Sequence, residues 1–189
     1  MTHSPRFVAV LDACVLYPAP IRDLLLHLAS VGLYTPKWTE TIHDEWTRNL
    51  LKNRKDLTDG QLRKTRLAMC AAFPDAEVGH FEPLIAGLQL PDPADRHVLA
   101  AAIRCQADVI VTANLKDFPA AALASYDVEA QHPDLFISNL IDLNPDKALE
   151  AFRAQVAFLK NPPKTPHQVL DNFRNVALPT TADKLAKLF

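Results

Sequence analysis

The run Pro91-Asp92-Pro93-Ala94-Asp95-Arg96-His97-Val98-Leu99-Ala100-Ala101-Ala102, continuing into Ala107-Asp108-Val109-Ile110-Val111-Thr112-Ala113-Asn114, constrains the fold more than any other stretch. It predicts a capped helix followed by a buried strand. Asp92 can cap the helix and Pro93 suits its first position. Asp95 then falls in the first turn, where the helix dipole favours a carboxylate. Val98, Leu99 and Ala102 form the inward face, and Val109, Ile110 and Val111 are a β-branched run suited to a strand. The strand ends in polar groups, Thr112 and Asn114. In open parallel sheets that carboxyl edge is where ligands bind. Acidic groups at a helix start beside such an edge suggest a cation site, although capping alone accounts for Asp92 and the dipole alone for Asp95.

The remaining chain alternates strand and helix patterns. Phe7–Leu11 reads as a buried strand ending at Asp12. Ile21, Leu24, Leu25 and Leu28 mark a helix by their spacing, closed near Gly32. A short strand is expected near Leu33–Thr35, stopped by Pro36. A helix beginning near Thr39 or Thr41 carries Ile42, Trp46 and Leu50 on its apolar stripe, with Glu45 on the margin. A carboxylate there is uncommon, because burying it unpaired is costly. A further helix covers 61–73, with Leu62, Leu67 and Cys70 inward, and Val78 suggests a short strand. Another brief strand is expected at Val128. A helix opening at His132-Pro133 places Leu135, Phe136, Leu140 and Ile141 in the core.

Asn144-Pro145 opens a new helix and marks a boundary. We therefore expect two units, 1–143 and a helical C-terminal extension, 144–189. In the extension, Thr165-Pro166 starts a second helix, and Thr180 or Thr181 caps a third. Strands alternating with helices argue an α/β fold with a mainly parallel sheet.

Hydrophobic residues make up 49% of the 189-residue chain and charged ones 22%, which is a globular composition. No apolar run approaches the ~20 residues that cross a membrane, and the N-terminus lacks a signal-peptide pattern. A cytoplasmic protein is expected. The three cysteines, Cys14, Cys70 and Cys105, fit neither a disulfide framework nor a zinc knuckle and are expected to be reduced core residues. The four glycines argue against a glycine-rich phosphate loop. Net charge is −2, but the part from Asp146 onward is +3 and the preceding part −5. Arg48, Lys52, Arg54, Lys55, Arg63, Lys64 and Arg66 form a second basic run. Basic flanks around an acidic centre suit a phosphate backbone held over a metal, and solvated helix faces account for the same charges.

Asp12 and Asn114 both follow apolar strands, and Asp95 opens the helix that feeds the second strand. Alone, each has an ordinary reading: Asp12 as a turn former, Glu45 as a solvated helical glutamate, Asn114 as a turn residue. Together their order resembles the PIN domain family. Val10-Leu11-Asp12-Ala13-Cys14-Val15-Leu16 is similar to its opening motif, an aspartate, a small or polar residue, Asn and two apolar residues. Glu45 stands where the family has a helical glutamate. Asp95, with Leu99 and Ala102 four and seven residues on, matches the third acidic position. Val111-Thr112-Ala113-Asn114-Leu115-Lys116-Asp117-Phe118 matches the fourth motif. The resemblance covers Phe7–Leu143, is strongest over Leu90–Pro119, and is nearest the branch related to VapC toxins. Some members of that branch carry a C-terminal helical extension.

The resemblance implies a three-layer α/β/α PIN-like fold and a metal-dependent endoribonuclease, the toxin of a toxin–antitoxin pair. It implies Mg²⁺ or Mn²⁺ as cofactor, RNA as substrate, a cognate antitoxin and a homodimer. Asp12, Glu45 and Asp95 would be catalytic metal ligands, and Asn114 a neutral fourth member. Thr112, Asp92 and Asp117 would support them, and Arg22 and Arg96 would contact phosphate or pair with nearby carboxylates. Phosphodiester hydrolysis needs a hydroxide nucleophile and charge relief, which a hard divalent cation supplies. Two departures stand out. Cys14 replaces the usual Asn, which weakens a supporting hydrogen bond, and Asn114 replaces an acid, which leaves one ion or two open. The alternatives are a catalytically weak PIN-like module that binds RNA or protein, and a phosphatase using Asp12 as nucleophile. Phosphatases of the latter kind want a second aspartate where Cys14 stands.

Overall fold

A computed structural model describes residues 7–189. The expectation of no signal peptide rests partly on residues 1–6, which lie outside those described, as does the start of the 1–143 unit. Four strands form one all-parallel sheet in the order β2-β1-β3-β4. They are β1 (Val8–Leu11), β2 (Thr35–Lys37), β3 (Val109–Val111) and β4 (Glu129–Gln131). β1 and β3 pair in register, Ala9 with Val109 through Leu11 with Val111. Parallel central strands are covered on both faces, so they read as unbroken apolar runs rather than alternating ones. Ala9, Val10, Leu11, Ile110 and Val111 are accordingly fully buried.

Helices link and flank the strands. β1 is followed by the single turn α1 (Ala13–Leu16), α2 (Ala19–Ser30), then β2. Next come α3 (Glu40–Asn53), α4 (Asp59–Ala72), the short α5 (Glu82–Ile85), and α6 (Arg96–Arg104) leading into β3. Thr39 caps α3 by accepting from the Ile42 backbone N–H. Thr58 and Gln61 form a reciprocal capping box on α4. The single turn α7 (Ala120–Leu123) precedes β4.

Several local expectations are corrected. The second strand runs Thr35–Lys37 and includes Pro36, which pairs with Ala9. A proline is tolerated there because β2 is the edge strand and needs no second ladder. Val78 lies in no strand; next to it, Glu77 makes an isolated parallel bridge to Trp38. Leu67 and Leu135 are exposed rather than inward. Leu62 and Met69, seven residues apart, carry the buried face of α4, and Leu67 sits off that line. The cysteines are half-buried rather than core.

The C-terminal helices are α8 (Pro133–Leu143), α9 (Pro145–Phe158), α10 (Pro166–Asn175) and α11 (Pro179–Ala186). α9 lies along α2, and Gln155 Nε2 donates to the Pro20 carbonyl at 3.2 Å. α11 packs on α8 and α10. Phe152 is buried against Phe173 and stacks on Phe189 at 5.6 Å. Neither Thr180 nor Thr181 caps α11. Pro179 opens the helix, and the carboxylate of Asp134, on α8, accepts from the Thr181 and Thr180 backbone N–H groups at 2.8 and 3.1 Å. The side chain is buried, and burial alone would raise its pKa. The hydrogen bonds from Thr181 and Thr180 outweigh that and hold it below the usual carboxylate value. No helix among the described residues is long and apolar enough to cross a membrane.

Candidate active site

Chain order departs from β1 towards β2 on one side and lies next to β3 on the other, so the carboxyl ends of β1 and β3 flank the point where the topology switches direction. Asp12 follows β1 there and is buried. Its Oδ1 accepts from the Ala13 backbone N–H at 2.7 Å, capping α1. Its Oδ2 accepts from Thr112 Oγ1 at 2.8 Å and from Cys14 Sγ at 3.1 Å. Thr112 directly follows β3 and is fully buried, and its hydroxyl oxygen in turn accepts from the Asn114 backbone N–H at 3.0 Å. One side chain therefore fixes both the carboxylate after β1 and the turn after β3.

Cys14 makes a supporting hydrogen bond to Asp12 through a thiol, a weaker donor than an amide. Its thiol donates to Asp12, and its sulfur accepts from the Ala113 backbone N–H at 3.2 Å. Burial, with the adjacent Asp12 charge, pushes the thiol up to about 12. It stays protonated at neutral pH and is a donor rather than a nucleophile.

Asp95 enters from the other side. Asp92 caps a tight 3₁₀ turn, Pro93–Asp95, by accepting from the Ala94 N–H at 2.8 Å. α6 itself begins at Arg96, so Asp95 occupies the residue before the helix rather than its first turn. The Asp95 carboxyl is pushed up to about 6, by burial first and then by repulsion from Asp12, Asp92, Asp117 and Glu45. Asp12, Asp92, Asp117 and Glu45 thus all lie within electrostatic reach of Asp95. Asp117 closes a turn by donating its backbone N–H to the Asn114 carbonyl at 3.0 Å, and Asn114 is exposed. Glu45 comes from α3, and its Oε1 lies 3.0 Å from His97 Nε2 on α6. Among the described residues, no group of three His, Cys, Asp or Glu side chains stands ready to hold an ion in this conformation. The donor chemistry nevertheless suits a hard divalent cation: carboxylate oxygens, an excess of negative charge, and a carboxyl whose ionisation the cluster itself opposes.

The two arginines expected at phosphate behave differently. Arg22 is turned into the core, a correction to that expectation. Its Nη1 donates to the Leu16 carbonyl at 3.0 Å, its guanidinium lies 5.0 Å over the Trp46 ring, and its Nε is 3.6 Å from Asp23. The pairing with Asp23 was the other reading of this residue. Arg96 is half-buried, with Nε donating to the Pro93 carbonyl at 3.0 Å. In the basic run, Arg54, Arg63 and Arg66 are paired with Asp56, Asp59, and Glu40 with Asp44. Arg48 and Lys52 are exposed three and seven residues after Glu45, on the same side of α3. His97 has no metal-ligand spacing to another His or Cys in the sequence. No spacing links it to Glu45, 52 residues away, so only the tertiary fold exposes the pair.

The fold and the carboxylate-lined edge define a class. The PIN domain model matches residues 8–116, and the chain belongs to the PIN domain family. A second model, the VapC50 C-terminal domain, matches residues 133–187. Among curated proteins, the chain is 44% identical over 95 residues to the "Putative ribonuclease VapC50" of Mycobacterium tuberculosis. The match covers 50% of this chain and 56% of that relative, so it spans about half of each. The protein is thus a VapC-like member of the family. No solved structure matches it.

Proposed function

We propose that the protein is a divalent-metal-dependent endoribonuclease, a hydrolase of RNA phosphodiester bonds, and that it is the toxin of a toxin–antitoxin pair acting in the cytoplasm. The observation that carries this reading is the buried Asp12 carboxylate at the carboxyl edge of the parallel sheet, held by Thr112 and Cys14, with the neighbouring Asp95 carboxyl pushed up to about 6 by burial and by the surrounding acids. Such a cluster opposes folding unless a cation offsets it. Asp12, Glu45 and Asp95 would hold Mg²⁺ or Mn²⁺, with Asn114 as a neutral oxygen donor. When bound, the cation would polarise a phosphoryl oxygen and lower the pKa of a water. Thr112 and Cys14 keep Asp12 in one orientation. Asp92 and Asp117 shape the two turns that carry Asp95 and Asn114. Arg48, Lys52 and Arg96 offer positive charge for the RNA backbone beside the acidic centre. A cognate antitoxin and a homodimer are partners in this reading, and its division of labour is a nuclease unit, 1–143, with a helical extension, 144–189.

A catalytically weak binding module is the second reading. It is favoured by the absence, among the described residues, of three ligating side chains gathered at one point. Incubating the purified protein with a panel of structured RNAs separates the two. The nuclease reading expects cutting with Mg²⁺ or Mn²⁺ that EDTA and Asp12→Asn abolish. Retained RNA binding without cutting, by a folded protein, would overturn it in favour of the module.

A further inference from the structure

We propose that His97 is a positioning residue for Glu45, fixing that carboxylate against α6 so that one oxygen is tied and the other is left free for a cation. The inference rests on the nuclease reading above. Of the site carboxylates only Glu45 comes from α3, and a glutamate has enough rotatable bonds to be a poor ligand unless held. His97 supplies the hold. Its Nε2 is 3.0 Å from Glu45 Oε1, and a carboxylate oxygen only accepts, so Nε2 carries the hydrogen. The imidazole is buried on the inward face of α6, two residues after Asp95. Its Nδ1 is buried as well and meets no hydrogen-bond partner among the described residues. The ring thus has one polar engagement, and that engagement is Glu45. Because Asp95 immediately precedes α6 and His97 lies in its first turn, the same bond ties the α3 carboxylate to the segment that carries Asp95. Groups that orient ligating side chains commonly affect metal affinity by about 10–100-fold.

The test is Mn²⁺ binding to the full chain, read as free Mn²⁺ by electron paramagnetic resonance, with folding followed by circular dichroism. His97→Leu removes the donor and keeps an apolar filling. His97→Gln carries an amide N–H to a similar reach, and His97→Asn falls short of it. The expected result is Mn²⁺ affinity weakened about tenfold in His97→Leu and His97→Asn and restored to within about twofold in His97→Gln. RNA cleavage by the weakened variants should recover at raised Mn²⁺. If His97→Leu does not fold, the comparison of Gln with Asn decides. Equal affinity in wild type and His97→Asn, or equal weakening in Gln and Asn, overturns the positioning role while leaving the nuclease reading intact. Wild-type protein with no Mn²⁺ binding that Asp12→Asn removes would overturn both.

Discussion

Thr112 donates its hydroxyl hydrogen to Oδ2 of Asp12 across 2.8 Å, joining the carboxyl ends of the two central strands. The Thr112 hydroxyl oxygen in turn accepts from the Asn114 N–H, and Thr112 is wholly buried. Thr112→Val keeps the shape but leaves a buried carboxylate short of a donor and a backbone N–H short of an acceptor. We expect a loss of about 1–3 kcal/mol of stability in urea unfolding, with reduced RNA cleavage. Thr112→Ser should recover most of both.

Asp95→Asn should separate stability from activity. The folded carboxyl titrates at about 6, above its ordinary 3.8. The folded state therefore holds the proton more tightly than the unfolded state, and the ionised group opposes folding at neutral pH. Without added metal, the Asn variant should melt higher than wild type above pH 6. The advantage should shrink as pH falls through 6 and vanish below the unfolded value. Cleavage should be lost at every pH. Thermal melts across pH, beside an RNA assay, check both halves.

How much of this was legible in the residues follows from the range of each interaction. Asp12, Asp95, Thr112 and Asn114 stand at strand ends and a helix start, and local pattern locates such ends. The two central strands were legible because runs such as Val109–Val111 are apolar throughout. Glu45 showed only as a carboxylate on the margin of an apolar stripe. Contacts made across long separations left no trace: His97 with Glu45, and Asp134 with the start of α11. Arg22 misled because a basic residue near a site looks the same in sequence whether it faces solvent or lies over Trp46. The bond from Cys14 to Asp12 is made by a thiol, a weak donor, and its second contact, accepting from the Ala113 N–H, shows only in the fold.

Asp134 fastens the last helix by accepting two N–H groups that α11 cannot satisfy itself. In Asp134→Asn one of those donors faces an amide NH₂. We expect destabilisation by about 1–3 kcal/mol at pH 7. The folded pKa lies below the unfolded 3.8, so this contribution is present above the unfolded value and lost as pH falls through the folded one. The gap between variant and wild-type melting temperatures should therefore narrow as pH falls below the unfolded value of 3.8.

Arg48 and Lys52 extend from Glu45 along the exposed side of α3. If they meet RNA phosphates, the double variant to Ala should bind RNA more weakly and show a shallower salt dependence. For single-stranded RNA the slope of log affinity against log salt should fall by about 1.4, from about 0.7 per lost contact. Filter binding in EDTA, where cutting is suppressed, measures it.

The central claim is that the acidic edge hydrolyses RNA through water held by a divalent cation. The most direct measurement is the end chemistry of RNA cut in Mn²⁺ by wild type and by Asp12→Asn. The account predicts fragments ending in a linear phosphate monoester and a free hydroxyl, absent in EDTA and absent with Asp12→Asn. Cutting that survives Asp12→Asn, or that leaves 2′,3′-cyclic phosphate from attack by the ribose hydroxyl, would contradict it.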